Sequence, residues 1–213
     1  MKRLLAELAA AEVSDRATNQ FSRLAGDLQG NAIRRRNLRL YLEELVGIGP
    51  DTMLIGEAVS YRGGRLTGIA FVSETVMLSG VDTRSGRVLG ADHGYRKATA
   101  GPKLSTEASA TMVWSTIREL EPLPLLWNAF PFHPFRAGEP DSNRVPTRDE
   151  LLLGERFIAR LLRLFAIRQL VAIGNQASLS LMRMGIAHEK VHHPSQGGKQ
   201  LFVAGMARLS SRA

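Results

Sequence analysis

A carboxylate, an amide and a histidine, Glu57, Asn128 and His193, stand where short apolar runs give way to Gly, Pro and polar residues. Together these groups could run a hydrolysis. A carboxylate handles water, an amide reads the polar edge of a ring, and an imidazole stabilises charge growing on a carbonyl oxygen. Aromatic residues such as Phe71 and Trp127 accompany them, and an aromatic ring stacks on the face of a flipped-out base. Each residue also has a plainer use. Glu57 could pair with Tyr61, Arg62 or Arg65, Asn128 could cap a turn, and an isolated Phe such as Phe71 is more often core. Asn128 nevertheless lies between Trp127 and Ala129 in an apolar run, where an amide is costly unless it has a partner.

Several other chemistries lack their residues. Cys 0 excludes thiol catalysis and any zinc or iron–sulfur centre held by cysteine. His192 and His193 are adjacent, so in an extended segment they point to opposite faces and do not readily share an ion. With His93, His133 and His188 scattered, no metal site is expected. Arg62-Gly63-Gly64-Arg65 is not a phosphate-binding P-loop, because it lacks G-x-x-x-x-G-K-[ST].

Strands and helices must bring these distant residues together. The apolar runs Met53 to Gly56, Leu123 to Trp127, Leu170 to Gly174 and Glu189 to His192 read as buried strands. Helical stretches lie between them, from Ser105 to about Leu120, Thr147 to about Phe165, and Asn175 to about Met184. Thr147 with Glu150 three positions later forms a capping box at a helix start. Residues 2 to about 46 are helix-rich, and Arg34-Arg35-Arg36 within them reads as a solvated face or a phosphate patch. The alternation predicts an α/β fold, a three-layer αβα sandwich with a short, mainly parallel sheet of about four strands. In such sheets ligands bind beyond the carboxyl ends of the strands, which is where Glu57, Asn128 and His193 fall.

The 213 residues suit one domain, with 44% hydrophobic and 23% charged residues enough for a real core. No run reaches the roughly 18 apolar residues of a membrane span. Met1 to Ala6 begins like a signal peptide, but Glu7 interrupts the apolar stretch, so a cytoplasmic protein is expected. Lys and Arg number 28 against 20 Asp and Glu, giving +8, and 23 of the 28 are Arg. Guanidinium forks suit phosphate oxygens, although a GC-rich coding bias gives the same excess.

Three ordered motifs carry a resemblance. Gly56-Glu57-Ala58 followed by Thr67-Gly68-Ile69-Ala70-Phe71, then Asn128 with Asn143-Arg144-Val145-Pro146, then His193-Pro194-Ser195 resemble the uracil-DNA glycosylase superfamily, closest in the first motif to its G-E-A-P-G branch. The resemblance runs from about Met53 to Phe202. It implies hydrolysis of the N-glycosidic bond of uracil in DNA, the first step of base excision repair, by a monomer without cofactor. It further implies Glu57 and His193 as catalytic residues and Phe71, Asn128 and Ala58 beside uracil. Lys103, Ser105, Ser195 and Lys199 would contact DNA. Alternatives are excision of another deaminated base such as hypoxanthine, or a DNA-binding homologue without activity.

The chain departs from that pattern at several positions. Val59-Ser60 replaces Pro-Gly after G-E-A, and Ala58 stands where the best-known branch has a water-activating Asp. The branch's iron–sulfur cysteines are absent, with His133 near one of their places. Gln196-Gly197-Gly198-Lys199 follows H-P-S where the wedge form carries a Leu.

Overall fold

The computed structural model describes residues 1–195 and 197–210; Gln196 and residues 211–213 lie outside it. Helix α1 (Lys2–Ala10) is followed by the short strand β1 (Ala17–Thr18), the long helix α2 (Leu28–Ile48) and strand β2 (Thr52–Ala58). Two short helices, α3 (Gly64–Thr67) and α4 (Glu74–Ser79), lead to a hairpin of β3 (Val81–Thr83) and β4 (Gly86–Val88). Then come α5 (Ala108–Ile117), β5 (Leu125–Phe130), β6 (His133–Pro134), α6 (Arg148–Leu164), β7 (Gln169–Ile173), α7 (Asn175–Arg183), β8 (Glu189–Val191) and α8 (Lys199–Ser210).

The main sheet has the order β5-β2-β7-β8 and is parallel throughout. Helices flank it in a three-layer αβα sandwich, as expected. Its inner strands are continuous apolar runs because both faces are covered: Met53, Leu54, Ile55, Val171, Ala172 and Ile173 are all fully buried. Gly154 on α6 lets that helix rest on the backbone of β5, since a side chain there would collide with the carbonyl of Ala129. At the sheet edge the hydroxyl of Tyr41 accepts from the Leu126 N–H at 2.9 Å, so α2 satisfies a backbone donor that β5 cannot pair.

The four strands and three helices foreseen are present with shifted ends. β5 runs three residues further than Trp127, to Phe130, which places Asn128 inside the strand rather than in a turn after it. α5 begins at Ala108, not Ser105, because Ser105 gives its hydroxyl to the Arg62 carbonyl (2.8 Å) and its N–H to Glu74 (2.9 Å). The capping box is formed, with Thr147 and Glu150 exchanging both bonds. The N-terminal part divides into α1 and α2, separated by β1, which pairs antiparallel with β6. Neither reading of the three arginines holds. Arg34 is 7% exposed and bonds Asn31, Asp27 and the Leu66 carbonyl; Arg35 binds the carbonyls of Phe21 and Ser22; Arg36 binds that of Gly94. These guanidiniums tie α2 to its surrounding loops. No described helix is long and apolar enough to cross a membrane.

Candidate active site

β2 lies between β5 and β7, so the chain leaves the middle of the sheet for one side and then crosses to the other. The crevice beyond the carboxyl ends of these strands is the switch point where α/β folds hold ligands. A cavity of about 500 Å³ occupies it, lined by Glu57, Ala58, Phe71, Asn128, His193 and Ser195, together with Ser60, Glu107 and the Asn143 to Val145 segment. The five expected catalytic and base-contacting residues are therefore brought to one place. A second cleft of about 570 Å³ shares Glu57, His193 and Ser195 and continues past the start of α7 to Lys190, His192 and Leu201.

The floor is built on a missing side chain. Gly56 is in register with Asn128 across the β2–β5 pair, and a Cβ on Gly56 would run into both the Phe71 ring and the Asn128 amide oxygen. Ring and amide thus close over bare backbone. Asn128 is 3% exposed, and its side chain has no hydrogen-bond partner among the described residues. Buried amides are normally paired, so this one is left ready for a ligand. Phe71 is held in the left-handed region (φ 54°), which costs a residue with a side chain about 1–3 kcal/mol. Its carbonyl accepts from the Trp114 indole N–H at 3.0 Å, and that bond helps to hold the conformation.

The His193 ring lies 6.3 Å from the Phe71 ring, centroid to centroid. The Ser195 backbone N–H donates to Nδ1 of His193 (3.2 Å), and the Ser195 hydroxyl oxygen is 2.7 Å from the same nitrogen. A nitrogen that accepts a backbone N–H carries no proton, so the neutral ring is protonated at Nε2 and can donate there. Burial lowers the His193 pKa, favouring the neutral form.

Glu57 is half-buried, and burial raises its pKa. None of its suggested structural partners takes it: Arg65 pairs with Asp141 at 2.6 Å, and Arg62 lies over the Tyr61 ring. Among the described residues Glu57 makes no hydrogen bond or ion pair and faces the cavity alone. The Asn143-Arg144-Val145-Pro146 segment forms a wall. Asn143 accepts the Tyr61 N–H at 3.1 Å, and His133, fully buried, sets its ring nitrogens 2.9 Å from the Val59 carbonyl and 3.1 Å from that of Pro140.

The residues expected at DNA divide into two groups. Ser195 lies in the cavity and Lys199 opens α8 nearby, exposed to solvent. Lys103 and Ser105 instead line a separate cavity of about 500 Å³ with Arg62, Glu74 and Thr99. Among the described residues no group of three or more His, Asp or Glu side chains could hold a metal ion.

Glu107 was not foreseen. It is the N-cap residue of α5 yet makes no capping bond, and its carboxyl turns towards Gly63 and Ser60. Placing the helix start three residues too early hid it among ordinary helix-surface positions.

No family model matches the sequence, and no curated protein is similar enough to match it. Among solved structures the fold is similar to that of wild-type SMUG2 from Pedobacter heparinus, with a TM-score of 0.63 and 13% identity, covering 99% of this chain and 97% of that one. At this identity the likeness is one of fold.

Proposed function

We propose that this chain is a monofunctional DNA glycosylase that removes uracil from DNA. The observation that carries this reading is the unpartnered, buried Asn128 amide set against the Phe71 ring over Gly56. The fold it shares with SMUG2 supports it, as do the three ordered motifs.

In this reading the nucleotide is extruded from the helix and uracil stacks on Phe71 with Ala58 beside it. Asn128 accepts the N3 proton through its oxygen and donates to O4 through its NH₂. As the C1′–N1 bond breaks, its electron pair stays with the base, and Nε2–H of His193 donates to the oxygen on which the charge accumulates. Glu57 orients the water that adds to the cationic sugar and takes its proton. No step calls for a metal or cofactor. Lys199, Ser195, Lys103 and Ser105 are proposed to contact the DNA backbone, where a net charge of +8 favours binding.

The test is incubation of the protein, with a chelator present, with labelled oligonucleotides containing one uracil, followed by alkali. Cleavage at the uracil position is expected. If every uracil substrate stays intact over hours at excess protein, the reading fails, and retained DNA binding would then favour a homologue without activity.

A further inference from the structure

We propose that Lys190 captures the abasic sugar left by base removal, as an imine at C1′ that hydrolysis later releases. The inference rests on the glycosylase reading and adds a covalent step after it.

The register of the sheet gives the crevice two sides. Gly56 and Asn128 are partners across β2 and β5, and on their side of the sheet the Phe71 ring lies over the Gly56 backbone. Side chains alternate along a strand, so Glu57 leaves β2 on the other side, the side of Ile55. Ile55 is paired with Ala172, and Ala172 with Lys190, which puts Lys190 on the same side as Glu57. Val191 agrees with this count, since its side chain meets Gly205 of α8 on the opposite side. In the proposed reaction the base leaves towards Phe71 and Asn128 while water enters beside Glu57. A second nucleophile that attacks C1′ from the side away from the base therefore comes from the side that Glu57 and Lys190 share.

The second cleft, of about 570 Å³, joins the two residues, for both line it. Their backbones are two strand spacings apart, about 10 Å, and their side chains enter the cleft from its two ends. Lys190 stands on the edge strand, where lysines commonly serve only to discourage pairing with another sheet. Its amine is instead drawn back towards β7, donating at 3.2 Å to Oδ1 of Asn175, the first residue of α7 and another lining residue of the cleft. Among the described residues no carboxylate pairs with Lys190, so no ion pair has to break before its nitrogen reacts.

Base removal leaves a hemiacetal at C1′, which opens to an aldehyde as the C1′–O4′ bond breaks and O4′ takes a proton. Amines add to aldehydes. The Lys190 ammonium gives one proton to solvent, its nitrogen bonds to C1′, and the carbonyl oxygen leaves as water, taking two protons. One ammonium and one aldehyde thus become one protonated imine and one water, with no change of net charge and nothing oxidised. No step removes the C2′ proton, so the phosphodiester stays whole. Water then adds back and returns the amine and the aldehyde. The bond retains a reactive product without inactivating the protein, and slows its release.

Labelled oligonucleotides would be incubated with the protein and cyanoborohydride, which reduces an imine to a stable amine in preference to the aldehyde. One carries uracil, and the other a preformed abasic site made by acid depurination. Both are expected to give a protein–DNA adduct that survives denaturing electrophoresis, with the sugar mapped by peptide mass to Lys190. Lys190→Arg should lower the adduct about tenfold or more while changing single-turnover uracil excision less than about threefold. No adduct on abasic DNA, an adduct mapped to Lys199 or another amine, or strand scission before alkali overturns the inference, and the glycosylase reading stands wherever uracil is still excised. An adduct at Lys190 on abasic DNA, with uracil left intact, keeps the amine chemistry and removes the glycosylase reading instead.

Discussion

Arg144 grips Glu150 with both arms of its guanidinium, Nη1 to Oε2 at 2.7 Å and Nη2 to Oε1 at 2.6 Å. The carboxylate also accepts from the Ser14 hydroxyl and the Thr147 N–H, each at 2.8 Å. Because Arg144 further binds the Arg16 and Phe135 carbonyls, one ion pair joins the N-terminal segment, a cavity wall and the start of α6. Burial alone would raise the Glu150 pKa, but Arg144, the Thr147 N–H and Ser14 together hold it below the ordinary carboxylate value. A lowered folded pKa means stability present above the unfolded pKa and lost as pH falls through the folded one. Glu150→Gln should therefore cost about 3 kcal/mol near neutrality, as breaking a buried pair does, and less in acid. Urea denaturation at pH 7 and pH 3 checks this; an unchanged midpoint at pH 7 would show that the pair does not stabilise the fold.

His193→Ala should slow uracil excision about 10²- to 10³-fold, as loss of one oxyanion donor does. DNA affinity should change little. Ser195→Ala keeps the backbone N–H on Nδ1, so it should retain most of the rate. ¹⁵N chemical shifts of the imidazole would report the proton on Nε2, and a proton found on Nδ1 would remove His193 as the donor described here.

For Glu57 the expectation concerns pH as well as rate. Burial raises its pKa, and as the group that takes a proton from water it must be ionised. Uracil excision should thus fall on acidification at a pH above the ordinary carboxylate value of 4.5, with the acid limb absent in Glu57→Gln. Burial lowers the His193 pKa, so its neutral, donating form extends to more acid pH than that of an ordinary imidazole. A loss below tenfold in Glu57→Gln, with the limb unmoved, would reduce Glu57 to a structural residue.

Asn128→Asp removes the NH₂ donor and sets a carboxylate against O4. Leaving buried polar groups mismatched costs roughly 1 to 3 kcal/mol each, so uracil excision should drop by at least tenfold. Slight cytosine excision should appear, because Asp accepts from N4. Gly56→Ala offers an independent approach, since its methyl group displaces the Phe71 ring and the Asn128 amide without touching either residue's identity. Wild-type discrimination in Asn128→Asp and Asn128→Ala would show that the amide does not read the base.

The sheet and the gathering of most candidate residues around one cavity were legible in the sequence because buried parallel strands are short apolar runs and their carboxyl ends mark the crevice. Glu57, Asn128 and His193 follow from that rule. Strand and helix ends were less legible, since tertiary hydrogen bonds decide them: Ser105 looks like a helix cap but is already bonded to Arg62 and Glu74. Arg34-Arg35-Arg36 misled for a similar reason, as local charge gives no hint of the loop carbonyls that await each guanidinium. Glu107 had no motif to announce it. Its placement depends on space above Gly63, more than forty residues away in sequence.

The strand order also governs when the site comes into being during synthesis. The central strand, β2, emerges from the ribosome before both of its neighbours, β5 and β7, and cannot be covered until they have been made. Of the proposed catalytic and base-contacting residues His193 is the last to appear, after the edge strand β8. A nascent chain can thus gather Glu57, Phe71 and Asn128 before it holds the imidazole that stabilises the departing base. In the reading proposed here, the competence to remove a base waits until the chain has been translated through β8, and a polypeptide stalled before that strand would lack it.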